Sequence, residues 1–99
     1  MIARSCQAVT LVSEADRYLE YLNLVVLPTY QNAQGNLGTC VLQEIRGGLS
    51  YFVLLSFWAS WGDLICFAGP DTETVIQNPE EKSLLIASES IARHYEVIC

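Results

Sequence analysis

The segment between residues 37 and 58 constrains the fold of this chain more than any other. Two apolar-rich stretches, residues 37–46 and 49–58, are separated only by Gly47 and Gly48. Two glycines between extended segments are typical of a tight antiparallel hairpin, because primed turns need positive φ at their central positions. The second stretch is apolar on both of its sides. A strand of that kind is covered by other structure on both faces.

One face of that strand can be covered by helices of the same chain, but the other face needs a second layer. The chain has 99 residues, which is enough for one domain and too few for two. Of these residues 52% are hydrophobic, more than one small core buries, and monomers of this size rarely expose large apolar patches. We therefore predict one domain over residues 1–99 that assembles as a homodimer.

Strand and helix patterns alternate before the hairpin. Residues 2–9 have no helical period and predict a first strand, with Arg4 and Gln7 on opposite faces. A capping-box pattern at residues 13–16 then starts an amphipathic helix, which Pro28 disturbs. Leu24 and Leu27 lie off the apolar stripe of this helix, so they are candidates for a contact surface.

The second half of the chain predicts further helices and a last strand. Ser60 is the expected N-cap of one helix, which Gly69 ends, and Asn78 followed by Pro79 starts the next. The inward-facing residues expected on these helices are Trp61, Leu64, Ile65, Ala68, Leu84, Leu85 and Ala87. Residues 91–98 predict a strand. The whole order predicts an α+β, ferredoxin-like βαββαβ fold with a four-stranded antiparallel sheet.

The charge of the chain argues against nucleic acid and anionic membrane surfaces as partners. The net charge is −6, Lys82 is the only lysine, and the arginines are scattered. Nucleic-acid binding needs clustered cations that displace counterions from phosphates. No apolar run approaches the ~20 residues of a membrane span, and the N-terminus lacks the pattern of a signal peptide. We expect a cytoplasmic protein.

The residues that usually hold metals or cofactors are sparse. Cys6, Cys40, Cys66 and Cys99 are far apart and contain no Cys-x-x-Cys pair. Free thiols would fit a reducing compartment, whereas disulfides would fit a secreted chain. With one histidine and no paired ligand spacing, we expect no metal site. The absence of a glycine-rich phosphate loop and of a nucleotide fingerprint predicts no cofactor.

Short phrases along the whole chain resemble the antibiotic biosynthesis monooxygenase family, above all its small bacterial members of unassigned chemistry. They are Met1-Ile2-Ala3-Arg4, Tyr18-Leu19-Glu20-Tyr21-Leu22, Gly35-Asn36-Leu37-Gly38, Leu55-Ser56-Phe57-Trp58, Phe67-Ala68-Gly69 and His94-Tyr95-Glu96-Val97. The resemblance implies a dimeric α/β barrel, in which the sheets of two ferredoxin-like subunits face each other. It also implies small-molecule chemistry, since the family includes cofactor-free oxygenases of polycyclic phenols and haem-degrading enzymes.

Of these two chemistries, the resemblance favours the cofactor-free one. The haem-degrading members use an asparagine on the first strand, with a tryptophan and a histidine on later helices. Here the first strand offers Cys6 and Gln7, the later aromatic is Phe67, and Gln77 stands near the expected histidine position. In the oxygenases a deprotonated phenol or anthrone reduces oxygen directly. The protein supplies a base, donors for the oxyanion and an apolar cavity.

His94, Glu96 and Arg4 are the candidate catalytic residues. His94 is the only histidine, and its unperturbed pKa lies close to neutral. Glu96 lies two residues further on the same strand face, where a carboxylate can orient the ring. The first and last strands are neighbours in this fold, which would bring Arg4 beside the pair. The alternative is an ion pair between Arg4 and Glu96, with His94 as a hydrogen-bonded neighbour.

Trp58, Trp61 and Tyr18 are the candidate substrate-binding residues. The two tryptophans flank the corner between a strand and a helix, where they would stack on an aromatic compound. Both are equally compatible with a place in the core, as is Tyr18 on the apolar stripe of the first helix. Tyr21 and Tyr30 lie on or just beyond that helix, and each could present a phenol to a cavity.

Two functional hypotheses follow. The first is a cofactor-independent monooxygenase, or a related enzyme, that abstracts a proton from a hydrophobic aromatic or polyketide-like compound. The second is a non-catalytic, ligand-binding or stress-associated dimer whose cavity holds a metabolite. A polar cluster that opens onto a cavity would favour the enzyme, and a closed ion pair on a packed face would favour the binding protein.

Overall fold

The protein is built on one antiparallel sheet, and the predicted hairpin forms two of its strands. The computed structural model describes residues 1–75, 77, 79–88 and 91–99. The strands are β1 (Ile2–Leu11), β2 (Asn36–Arg46), β3 (Leu49–Trp58), β4 (Ala87–Ser88) and β5 (Arg93–Glu96). Their order in the sheet is β2-β3-β1-β4, and β5 also pairs with β1. Gly47 and Gly48 have φ values of 56° and 78° in the turn between β2 and β3, which confirms the predicted hairpin.

The last position of the sheet is divided between two short strands. β4 pairs with β1 at Ala8 and Val9, whereas β5 pairs with it between Ile2 and Ser5. The prediction of one strand over residues 91–98 was therefore wrong in its extent. Ile91 and Ala92 turn instead to an earlier loop, where Ile91 bridges Thr74 and the Ala92 amide donates to the Glu73 carbonyl. The two short strands together fill one position, so the predicted four-stranded, ferredoxin-like α+β fold is confirmed.

Helical segments lie on one face of this sheet. α1 (Ala15–Tyr21) continues through a π-helical turn (Leu22–Val26) into α2 (Leu27–Gln31). Pro28 lies at the start of α2, and the wider turn immediately before it accommodates the missing N–H, so the predicted disturbance is confirmed. The capping box predicted at residues 13–16 was wrong: a 3₁₀ turn (Val12–Glu14) leads into α1, and no side-chain oxygen caps it.

α3 (Trp61–Ala68) begins as predicted but presents a different side to the sheet. The Asp63 amide donates to the Ser60 Oγ at 3.1 Å, which confirms the cap, and Gly69 ends the helix with φ of 86°. Leu64 is fully buried, but Trp61 is 46% exposed and Ile65 is also exposed, so the inner face predicted for these two was wrong. The helix is rotated because Phe67 packs inward, with its ring centroid 4.9 Å from that of Trp58.

α4 (Pro79–Leu84) is the last described helix and contacts α1. Its predicted N-cap, Asn78, lies outside the described residues. Leu84 and Leu85 are partly buried against the core, as predicted. Ala87 was predicted to pack inward from a helix, but it lies in β4, pairs with Val9 and is exposed. In the described part of the chain, no helix has the length and apolar character needed to cross a membrane.

The side chains of β1 and β3 divide between a covered and an open face. Even-numbered residues point towards the helices, and the buried ones include Ile2, Arg4, Ala8, Phe52, Ser56 and Trp58. Odd-numbered residues of β3 are partly exposed on the opposite side, where no helix of the described chain lies. We call these two sides the covered face and the open face.

Candidate functional site

A cavity of about 340 Å³ lies between the covered face and the helices. Its volume falls within the range of small-molecule sites, which are mostly apolar with a few placed polar groups. The apolar part of its wall comes from the two central strands, the π-helical segment and the loop before α4, and consists of Ala8, Leu22, Val25, Val26, Phe52, Leu54 and Val75. The polar part includes Tyr18, Tyr21, Tyr30, Gln77 and Glu81.

Tyr18 and Glu81 form the first polar contact at this cavity. The Tyr18 hydroxyl on α1 donates to Glu81 Oε1 on α4 at 3.0 Å. Burial raises the pKa of Glu81, and the hydrogen bond from Tyr18 opposes that rise only in part. Burial, with the nearby carboxyl of Glu81, also raises the pKa of Tyr18, so the phenol stays protonated. The result is a carboxyl group in an apolar setting that holds a proton more readily than an ordinary glutamate.

Tyr30 and Arg4 form the second polar contact. The Tyr30 hydroxyl accepts a hydrogen bond from Arg4 Nη1 at 3.0 Å. Arg4 is only 4% exposed, and its Nη2 donates to the Thr72 carbonyl at 3.4 Å, so the guanidinium is held from two sides. Burial raises the pKa of Tyr30 to about 12, and the Arg4 charge acts in the opposite direction. The buried Nε of Arg4 has no partner among the described residues.

The predicted catalytic residues lie on one side of this cavity rather than around it. Arg4 pairs with His94 and Ile2 with Glu96 in the β1–β5 ladder, so all three predicted side chains share the covered face. None of the three lines the cavity, and Arg4 reaches it only through Tyr30. Glu96 is exposed, and no hydrogen bond or ion pair joins it to His94 or Arg4 within the described chain.

His94 itself lies beside an aromatic ring. Its ring centroid is 5.4 Å from that of Trp61. Burial and the charge of Arg4 lower the pKa of His94, while Glu73 raises it. The Nε2 atom is buried without a partner among the described residues. A neutral imidazole is therefore favoured here, although it is not among the cavity-lining groups.

Of the three predicted substrate-binding residues, one lines the cavity and two do not. Tyr18 lines the cavity, together with Tyr21 and Tyr30. Trp58 is completely buried beneath α3, where its Nε1 donates to the Ser56 Oγ at 3.0 Å, so it is a core residue. Trp61 is about half exposed and lies outside the cavity lining.

Comparison with known proteins identifies the fold. No protein-family profile matches the sequence, and no curated protein matches it. A candidate antibiotic biosynthesis monooxygenase from Nitrosomonas europaea has a TM-score of 0.69 at 11% identity and covers 100% of both chains. A similar candidate from Deinococcus radiodurans has a TM-score of 0.67 at 15% identity, covering 98% of this chain and 92% of its own. The chain has the fold of the antibiotic biosynthesis monooxygenases.

Another protein with this fold is the haem degrader MhuD from Mycobacterium tuberculosis, whose structure has two haems bound in its active site. Its TM-score is 0.60 at 21% identity, with 100% of this chain and 97% of that chain covered. Identities this low show a shared fold and leave the reaction open.

Glu81 lines the cavity, but the sequence analysis did not identify it as a candidate site residue. It follows Pro79 and Glu80, where an acidic residue is expected to stabilise the start of a helix. Nothing local distinguishes it from Glu80, which is exposed. Only the docking of α4 against α1 turns Glu81 towards Tyr18, a residue 63 positions away in the sequence. Likewise, no described group of three or more histidine, cysteine or acidic residues is arranged to hold a metal ion.

Proposed function

We propose that the protein binds a hydrophobic aromatic compound in the cavity and abstracts a proton from it, as a cofactor-independent monooxygenase does. The observation that carries this proposal is the Tyr18–Glu81 pair at the edge of an apolar cavity. A carboxyl group whose pKa is raised by burial is a stronger base than an exposed glutamate. The named monooxygenase candidates with the same fold support the choice of reaction.

In this proposal Glu81 is the general base and Tyr18 holds its carboxylate in place. Anthrone illustrates the chemistry, because its methylene C–H bond breaks and Glu81 takes the proton. The electron pair left on carbon then reduces molecular oxygen, and a carbon–oxygen bond forms. The resulting peroxide anion takes the proton back from Glu81, and the hydroperoxide then loses water and becomes a ketone. One methylene and one oxygen molecule thus give one carbonyl and one water, and Glu81 is again ionised. An apolar cavity favours the first step because it does not hydrate the carboxylate.

Oxygen consumption with anthrone, measured against the enzyme-free rate, tests this reaction. General base catalysis contributes roughly 100- to 10,000-fold, so Glu81→Gln should lower turnover by about that factor. Glu80→Gln is the matched control, since Glu80 is the neighbouring acidic residue on the same helix and is exposed. His94→Ala tests the other candidate base. A large loss in His94→Ala and none in Glu81→Gln would assign the base to His94 and contradict the role of Glu81.

A binding protein without a reaction is the second candidate. The observation in its favour is that Glu81 Oε1 already accepts a hydrogen bond from Tyr18. On this hypothesis aromatic compounds raise the melting temperature, because a ligand of the native state stabilises it by mass action. The rate of oxygen consumption would then stay at the enzyme-free rate for the wild type and for every variant.

We also propose that the protein is a homodimer joined through the open face. Tyr51, Val53, Leu55 and Phe57 form an apolar row on that face, and none of them is fully buried in the single chain. Leu42 and Tyr95 lie on the same face and are more than half exposed. An interface that covers them is expected to bury about 1,600 Å² or more in total. Light scattering at low micromolar concentration should give the dimer mass, and a stable monomer would contradict the proposal.

A further inference from the structure

Two tyrosines of the cavity have hydrogen-bond partners of opposite character. Tyr18 donates its proton to the Glu81 carboxyl, whereas Tyr30 accepts a proton from the Arg4 guanidinium. Both distances are 3.0 Å, and both rings line the same cavity. The same side chain is therefore placed in two different electrostatic settings within one site.

The two settings leave different hydrogen-bonding capacities. A phenol has one proton to donate and lone pairs to accept with. Tyr18 has committed its proton to Glu81, so its oxygen retains only the capacity to accept. Tyr30 has used a lone pair for Arg4, and no acceptor for its own proton lies among the described residues. Tyr30 thus keeps its proton for a group inside the cavity.

Arg4 strengthens this donor because a cation that bonds to the phenol oxygen withdraws electron density from the O–H group. Hydrogen bonds in a low-dielectric interior polarise one another in this way. The guanidinium is also fixed in place by the Thr72 carbonyl and by its nearly complete burial. A donor that is positioned before the reaction is more effective at stabilising developing negative charge than one that must reorient.

We infer that Tyr30, polarised by Arg4, is the donor that binds the carbonyl or oxyanion oxygen of the aromatic compound held in the cavity. Tyr30 would touch the ligand, and Arg4 would be a positioning residue that acts through it. The inference rests on the proposed function, because it assumes that the cavity holds an aromatic compound. It extends that proposal by placing the oxygen of the ligand beside Tyr30 and the proton that is abstracted beside Glu81.

Acetylnaphthalene and naphthalene separate the donor role from simple packing. They share the two-ring body, and only the first has a carbonyl oxygen. The measured quantity is the ratio of their dissociation constants by equilibrium dialysis, because a change in packing affects both compounds alike. One hydrogen bond corresponds to a ratio of about 5- to 10-fold in the wild type. Tyr30→Phe should abolish that preference.

Tyr51→Phe is the matched control, since it removes the same hydroxyl from the open face, outside the cavity lining. The preference for acetylnaphthalene should therefore stay within about twofold of the wild type. Arg4→Gln should reduce the preference because the charge is lost, and Arg4→Lys should restore part of it. These Arg4 variants also test the inference if Tyr30→Phe does not fold.

Three outcomes would contradict the inference. An unchanged preference in Tyr30→Phe would overturn the donor role while leaving aromatic binding intact. Equal losses in Tyr30→Phe and Tyr51→Phe would show that the preference does not come from a donor in the cavity. If neither compound binds to the wild type, aromatic binding in this cavity is itself wrong, and the donor role fails with it.

Discussion

The covered and open faces of the sheet differ in a way that their composition does not suggest. On β3 the open face is the more apolar, with Tyr51, Val53, Leu55 and Phe57, whereas two serines lie on the covered face. Both serines, Ser50 and Ser56, are buried all the same. They are tolerated because each accepts a hydrogen bond, from Gln43 and from Trp58 respectively.

This difference in composition indicates that the two faces have different roles. The covered face combines aromatic packing with buried polar groups, which is the composition expected around a binding cavity. Along β3 the open face carries only the Tyr51 hydroxyl as a polar group, and such a row suits a contact with a second subunit. Chemistry is therefore proposed on the less apolar face, and association on the more apolar one.

The largest expected effect that tests this comparison is on stability. Trp58 on the covered face is fully buried, whereas its neighbour Phe57 lies on the open face and is partly exposed. Trp58→Ala should lower the free energy of unfolding by about 3–5 kcal/mol, because it leaves a large cavity beneath α3. Urea denaturation should show a clearly smaller loss for Phe57→Ala under conditions where the protein is monomeric. Equal losses would mean that the two faces are equally packed within one chain.

The second expected effect is on association. Leu55 lies in the middle of the apolar row on the open face, so Leu55→Asp would bury a charge at each copy of the interface. We expect the dimer dissociation constant to rise by at least about 100-fold, as measured by dilution in analytical ultracentrifugation. Leu24→Asp is the control, because Leu24 is 69% exposed on the helical side. If Leu24→Asp dissociates the dimer and Leu55→Asp does not, the contact surface is on the helices.

The third expected effect concerns the pH dependence of turnover. Glu81 must be ionised to accept a proton, and burial raises its pKa above the ordinary glutamate value of 4.5. Activity should therefore fall as the pH falls, with a midpoint above 4.5. Glu44→Gln on the open face should leave this midpoint unchanged, since Glu44 is exposed there. A midpoint at or below the ordinary value would contradict the role of Glu81.

The smallest expected effect is a pH dependence of stability from His94. Its pKa is lowered in the folded protein, so the unfolded chain binds a proton more readily below the ordinary pKa of about 6.5. The contribution of His94 is complete above that pKa and is lost as the pH falls through it towards the lower, folded value. Acidification from pH ~7.5 to ~5 should therefore destabilise the wild type more than His94→Gln. Identical slopes for the two proteins would show that burial does not perturb the imidazole.

Local patterns in the sequence determined most of the fold. The two glycines at residues 47 and 48 set the hairpin through their positive φ values, and Ser60 set the start of α3 through its hydroxyl. Pro28 located the change of helical geometry before α2. Each of these features depends on neighbours within a few residues, so a single sequence contains the necessary information. The order of elements also predicted that the first and last strands are neighbours, and the structure pairs Arg4 with His94 there.

Only the tertiary structure determined which polar side chains meet at the cavity. Tyr18 and Glu81 are 63 positions apart, and Arg4 and Tyr30 are 26 apart. Each contact depends on the angle at which a helix docks on the sheet, and a rotation such as that of α3 exchanges an exposed residue for a buried one. The division of the last strand had the same origin, since Ile91 and Ala92 found partners in a loop. Periodicity specifies that a helix has an inner side, but packing against distant side chains decides which residues occupy it.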